Sequence, residues 1–322
     1  LLNHDPLIEV IGAAPEPHAA REMIKSLNPD VITLDIEMPG MDGLSFLEKV
    51  MRLRPMPVVM CSTLTARGAD ATIEALRLGA VDCIGKPSGN ALEMAEHGAL
   101  LRKMVKAAAR STVRRSPPPT ASAALATTGP VRDVVIGIGA STGGVEALFS
   151  LITALPADCP PILVVQHMPA TFTHSFAARI DRDARVKVVE AQHGMIVERG
   201  TVYIAPGGEH HMELVVGAAG TAPHIRLTDS AAMSGHRPSV DVLFRSMTRL
   251  GPRAIGVIMT GMGRDGADGL RALRDAGAHT LGQSRETCVV YGMPRAAMEN
   301  GAVEKEVSLT VMAEAILGLC RI

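Results

Sequence analysis

In Val134–Leu148, VVIGIGASTGGVEAL, four apolar residues run into a glycine-flanked serine and then into helix-like sequence. Ser141 in such a turn is either a nucleophile or a small residue in a loop that cradles a phosphate. A phosphate loop of the GxxxxGK[ST] kind needs a lysine that follows neither Gly143 nor Gly144. A dinucleotide fingerprint needs a glycine where Thr142 stands and an acidic residue closing the next strand, but PILVVQH closes on Gln166 and His167. GASTG also fits GxSxG, a turn that exposes a serine Oγ at the top of a strand between small neighbours. His167 would bring an imidazole base from the adjacent strand end, and AIGVIMTG leads into MGRDGADG, which offers Asp265 to orient that imidazole. Spacing alone leaves plainer roles open: His167 bonding a core carbonyl and Asp265 capping the helix that follows. The order Ser, His, Asp differs from that of the α/β-hydrolases.

A second constellation lies in the first half of the chain. DVITLDIEMPGMDG ends an apolar run at Asp35, PVVMCS ends at Ser62, and AVDCIGKP reaches Lys86 just before Pro87. Singly these read as a turn cap, a helix cap and a solvated charge. Together they form the set that a phosphoryl-accepting carboxylate needs, with a cation and a hydroxyl to hold the phosphoryl oxygens.

Both constellations require parallel strands whose carboxyl ends open into a crevice. The chain supplies them: short β-branched runs alternate with helix-like segments such as GADATIEALRLG on both sides of AAARSTVRRSPPPTASAALATTGP, a Pro-, Ser- and Ala-rich stretch that cannot bury enough to order itself. The expected organisation is an α/β fold of two domains, 1–106 and 131–322, joined by a flexible linker over 107–130. With 322 residues each domain can bury its own core. Lys plus Arg total 32 against 33 Asp plus Glu, a net charge of -1 that argues against nucleic acid as a partner. Five cysteines, none in a CxxC spacing, argue against disulfides and metal clusters and favour a reducing cytoplasm. No apolar run has the length of a membrane span.

LDIEMPGMDG, the Ser62 position and GKP resemble the receiver domain of two-component response regulators, a flavodoxin-like fold. The resemblance implies that Asp35 is the phosphoacceptor, Ser62 the switch hydroxyl and Lys86 the lysine beside the phosphoryl group, with a chemotaxis histidine kinase as phosphodonor. Receivers hold Mg²⁺ through an acidic pair after their first strand, so a Mg²⁺ at Asp35 depends on a pair that this sequence does not contain. LLNHDPLIEV reads as the end of the first helix followed by the second strand, so the first strand is expected to be missing and the natural protein to carry about twenty further residues at its start. Cys83 stands where receivers usually carry an aromatic residue.

GIGASTGG, VVQHMP with FTHSFAARID, YIAPGG, GHRPSVDVLF and TGMGRDGADG resemble the catalytic domain of the chemotaxis protein-glutamate methylesterases, the CheB family, over Val134–Ile322. The resemblance implies a doubly wound, mostly parallel sheet bearing a triad of Ser141, His167 and Asp265, with the backbone N–H of Met262 as oxyanion donor and no catalytic cofactor. The substrates implied are glutamate methyl esters, and glutamine side chains as well, on chemoreceptors. Thr142, His236 and Arg237 are candidates for substrate contact, although His236 and Arg237 could equally bond loop carbonyls. A catalytically inactive scaffold that binds receptor or kinase, and a nucleotide-binding oxidoreductase, are the competing functions.

Overall fold

Apolar runs separated by helical segments can pair side by side only through crossovers, and both halves of the chain do so with parallel strands. The computed structural model describes residues 1–38, 42–63, 65–86, 91–111, 132–217 and 222–321. It divides into two compact units, Leu1–Pro117 and Pro118–Ile322.

The first unit runs α1 (Pro17–Leu27), β1 (Ile32–Asp35), α2 (Gly43–Leu53), β2 (Val58–Ser62), α3 (Ala66–Arg77), β3 (Asp82–Gly85) and α4 (Ala91–Ala109). Its three strands pair in parallel in the order β1-β2-β3. Val58, Val59 and Met60 of the central strand are fully buried, as expected of a strand covered on both faces. The Asp42 carboxylate caps α2 by accepting the Leu44 N–H at 2.6 Å, and Thr65 Oγ1 caps α3 by accepting the Gly68 N–H at 3.1 Å. Pro39, Gly40 and Pro87, part of the receiver-like motifs, lie outside the described residues.

The strand expected within LLNHDPLIEV does not form. Leu2–His4 make one 3₁₀ turn, and Leu7, Val10 and Ile11 are exposed. A strand there would pair with a central first strand, and the described residues contain no such strand beside β1. α4 runs on to Ala109, past the expected boundary at 106, and most of the expected linker lies outside the described residues.

The second unit begins with β4 (Val135–Ala140), α5 (Gly144–Thr153), β5 (Ile162–Gln166), α6 (Ala170–Asp183), β6 (Lys187–Glu190) and β7 (Thr201–Ile204). A hairpin of β8 (His211–Val215) and β9 (His224–Thr228) follows, then α7 (Val240–Met247), β10 (Ala254–Ile258), α8 (Ala267–Asp275), β11 (His279–Gln283), α9 (Met293–Glu299), β12 (Lys305–Val307) and α10 (Leu309–Leu319). Seven strands form one parallel sheet in the order β12-β11-β10-β4-β5-β7-β6, while β8 and β9 pair antiparallel apart from it. The chain winds outward from β4 through β5, then crosses to the other side with β10. That reversal opens a crevice at the carboxyl ends of β4 and β10.

The glycines of β4 admit a helix rather than a ligand. A Cβ on Gly137 would lie 2.6 Å from Met247 Sδ, and one on Gly139 would lie 2.2 Å from Val240 Cγ1, both in α7. Gly266 meets Val240 from the other side, with an added Cβ 2.5 Å from the same Cγ1. Val240 is therefore wedged between two bare backbones. Gly139→Ala should destabilise the full chain by about 1–3 kcal/mol through overpacking, measured by urea unfolding, and adding Val240→Ala should recover part of that loss.

Candidate active site

Strand register delivers the catalytic candidates. Ala140 pairs with Gln166 across β4 and β5, and the His167 N–H donates to the Ala140 carbonyl at 3.1 Å, so Ser141 and His167 leave adjacent strands side by side. On the other flank of β4, β10 ends at Ile258 and the chain turns through Gly261–Gly263 to Asp265. Three strand ends thus converge on one crevice.

Asp265 is 1% exposed, and His167 Nε2 lies 2.8 Å from its Oδ2. Ser239 Oγ donates to Oδ1 at 2.7 Å, the Val240 N–H to Oδ2 at 2.8 Å and the Asp241 N–H to Oδ1 at 3.3 Å. These donors come from the first residues of α7, whose N-terminal dipole also favours the negative charge. Burial raises the Asp265 pKa, but the bonds from His167, Ser239 and Val240 outweigh it and hold the carboxyl at about 2. An ionised carboxylate only accepts, so Nε2 carries the imidazole proton and Nδ1 carries the lone pair. Nδ1 is buried and has no hydrogen-bond partner among the described residues.

Ser141 is half-buried, and its hydroxyl makes no bond among the described residues, to His167 or otherwise. Triads commonly close only around substrate. Its backbone is held firmly. The Ser141 N–H donates to the Thr260 carbonyl at 3.0 Å, and Gln166 Nε2 donates to the Ser141 and His167 carbonyls at 2.9 and 3.1 Å. Gly261 lies so close that a Cβ there would fall 2.8 Å from Ser141 Cβ. The next N–H along the chain, that of Met262, donates to no acceptor among the described residues.

The remaining candidates divide. His236 stacks on His167, ring centroids 3.8 Å apart and planes within 4°. Arg237 is engaged with loop carbonyls, Nε to Gly208 at 3.1 Å and its terminal nitrogen to Ser230 at 3.2 Å. Thr142 is buried, and its carbonyl accepts from Thr260 Oγ1 at 3.0 Å. Ser239 and Gln166 were missed as site residues. The available signals were a polar side chain ending an otherwise apolar strand, and a serine at the start of a helix.

In the first unit Lys86 Nζ lies 2.6 Å from Asp35 Oδ2, and the Glu37 N–H donates to Asp35 Oδ1 at 3.0 Å. Both side chains remain open to solvent. Ser62 adjoins this pair through its backbone, its carbonyl accepting the Lys86 N–H at 2.8 Å, but its hydroxyl bonds elsewhere. It is buried, with its hydroxyl against the Thr63 and Gly68 carbonyls at 3.1 and 3.3 Å. Cys83 is buried in β3, and all five cysteines are free thiols. No cluster of three or more metal-ligating side chains occurs among the described residues, and Asp35 already has both oxygens engaged. These residues do not by themselves fit a Mg²⁺ ion. No helix among the described residues is long and apolar enough to cross a membrane.

Residues 136–316 match the family model for CheB methylesterase, and residues 1–96 match that for the response regulator receiver domain. This chain belongs to the CheB methylesterase family. A protein-glutamate methylesterase/protein-glutamine glutaminase of Caulobacter vibrioides is 56% identical over 99% of the chain and 92% of its own length. One of the same description from Rhizobium etli is 54% identical over 99% and 91%. The crystal structure of the Thermotoga maritima CheB methylesterase catalytic domain superposes with a TM-score of 0.56 and 37% identity, covering 59% of this chain and all of that one. Membership covers both halves of this CheB chain, a receiver followed by an esterase-type domain.

The depressed Asp265 pKa makes a signed claim about stability. The folded carboxyl titrates at about 2 against an ordinary 3.8, so the unfolded chain binds the proton more tightly. The stabilisation is complete above pH ~4 and is lost as the pH falls to ~2, an effect of about 2 kcal/mol. Asp265→Asn should remove this acid-side slope, as measured by urea unfolding across that interval.

Proposed function

We propose that this CheB chain hydrolyses glutamate methyl esters on chemoreceptors, releasing methanol, and hydrolyses glutamine side-chain amides at the same centre. The reading places it in the cytoplasm, under control of a phosphoryl group on Asp35 supplied by a chemotaxis histidine kinase. The observation that carries the chemistry is the buried, unpartnered Nδ1 of His167 at the strand end beside Ser141, with Nε2 committed to Asp265.

Nδ1 takes the Ser141 proton as Oγ attacks the ester carbonyl, and the resulting imidazolium is stabilised by the Asp265 carboxylate. The carbonyl oxygen becomes an oxyanion and accepts the Met262 N–H. One such donor typically contributes about 3 kcal/mol to the transition state. Collapse of the tetrahedral intermediate breaks the carbon–oxygen bond to the methyl group's oxygen, and His167 returns the proton so that methanol leaves. Water, deprotonated in turn by Nδ1, attacks the acyl-serine, and Ser141 departs with the proton, leaving a glutamate carboxylate. With a glutamine side chain the leaving group is ammonia. His236 covers one face of the imidazole throughout.

On the receiver side, Asp35 is the one carboxylate of the triplet and Lys86 already lies against it. A phosphoryl group on Asp35 would take over the Lys86 ammonium, and the Ser62 hydroxyl would have to leave the Thr63 and Gly68 carbonyls to reach it. A tenfold change in esterase activity needs only about 1.4 kcal/mol of difference between two arrangements of the chain.

Ser141→Ala in the full chain should abolish methanol release from methylated receptor; release at the wild-type rate would exclude Ser141 as nucleophile and, if insensitive to His167→Ala too, the whole triad. A small acyl phosphate should change the wild-type rate of methanol release, and Asp35→Asn should remove that response while leaving the basal rate in place.

A further inference from the structure

We propose that His211 is a positioning residue for the esterase centre, holding through the Ser239 backbone the segment that carries both the hydroxyl on Asp265 and the ring on His167. The proposal rests on the triad reading above. His211 opens β8, in the hairpin outside the seven-stranded sheet, and is completely buried. Both of its ring nitrogens are engaged. Nδ1 accepts the Ser239 N–H at 3.1 Å, and Nε2 lies 3.1 Å from the Ala231 carbonyl. A backbone N–H can only donate and a carbonyl can only accept, so the ring is neutral with its proton on Nε2.

Those two contacts grip residues 231 and 239, the ends of a segment that reaches the centre twice. Within it the Met233 and His236 backbones exchange hydrogen bonds at 3.1 and 2.9 Å around Ser234 and Gly235, at φ 55° and 79°. That is the two-residue turn in which both central residues are left-handed. It presents the His236 ring to His167, and three residues later Ser239 Oγ meets Asp265. Ala231 to Gly235 are exposed, so this half of the segment has little packing of its own, while Arg237 ties the other half to the Gly208 and Ser230 carbonyls. His211 supplies a fixed point beneath it. Losing the acceptor for the Ser239 N–H would leave that donor buried and unpaired, and the segment would shift to satisfy it. The shift would be felt at Asp265 and His167 together.

The test uses the full chain and two variants that divide the ring's functions. In His211→Asn the amide oxygen takes the place of Nδ1 and keeps the acceptor for Ser239. In His211→Gln the amide nitrogen takes the place of Nε2 and keeps only the donor to Ala231. His211→Asn should hold kcat for methanol release within about threefold of wild type, whereas His211→Gln should lose about tenfold or more, with KM for methylated receptor unchanged in both. Equal kcat in the two variants, whether retained or reduced, overturns the proposal, as does an effect confined to thermal midpoint. Ser141→Ala run in parallel separates this outcome from failure of the triad reading, since only the latter leaves that variant active. Independently of any variant, ¹⁵N NMR of the wild-type chain should find His211 as the Nε2–H tautomer at neutral pH. An Nδ1–H or doubly protonated ring would leave the Ser239 N–H without its acceptor and likewise overturn the proposal.

Discussion

A carboxylate taken out of water has to have its charge answered where it lies, and the centre is arranged around that requirement at Asp265. Its two oxygens receive an imidazole N–H, a hydroxyl and two backbone N–H groups from the start of a helix. The same bonds that make the charge tolerable decide which nitrogen of His167 is basic. They also displace a neighbour. Asp241, the second residue of the same helix and likewise buried, is pushed up first by burial and then by the Asp265 charge, against the pull of the Gly269 N–H at 2.6 Å. Two carboxylates in one dry pocket cannot share the ionised state on equal terms, and the donor-rich one keeps it.

Close approach of backbone is the second condition. α7 reaches β4 only because Gly137 and Gly139 leave room for Met247 and Val240, and Asp265 can take its donors from α7 only because that helix lies so near. Gly261 plays the corresponding part for Ser141, where an added Cβ would fall 2.8 Å from the serine Cβ. The glycines thus belong to packing first and to chemistry through it. A run that looks like a nucleotide fingerprint is accounted for by contacts with side chains of the same unit.

This bears on what could be read from residues alone. The parallel strands, the division into two units and the adjacent strand ends that carry Ser141 and His167 follow from periodicity and from the rule that crevices open at strand carboxyl ends, whereas spacing alone left a core-carbonyl bond open for His167 and a helix cap for Asp265. The pairing of Lys86 with Asp35 was legible for the same reason. The function of Gly137 and Gly139 was not, because no local pattern says which helix will come down on a strand. Ser239 and His211 were likewise hidden. A polar residue whose partner lies far along the chain, the Asp265 carboxylate for Ser239 and the Ser239 N–H for His211, carries no periodic signature, and Arg237 shows the reverse case, a conspicuous charge satisfied by loop carbonyls. The strand expected in LLNHDPLIEV failed to form because a strand is a relation between two segments, and the residues that would pair with it are not in the described sheet.

The placement of the reversal in the larger sheet has one further corollary. The middle strand of the trio, β4, comes earliest in the chain, its neighbour on one side comes next, and its neighbour on the other side arrives only after the chain has travelled to one margin and returned. Serine first, histidine second, aspartate last is the itinerary of that journey. A hydrolase wound inward from a margin would encounter the same three groups in another succession, so the sequence order records how the ribbon was laid down and is silent about the reaction it serves.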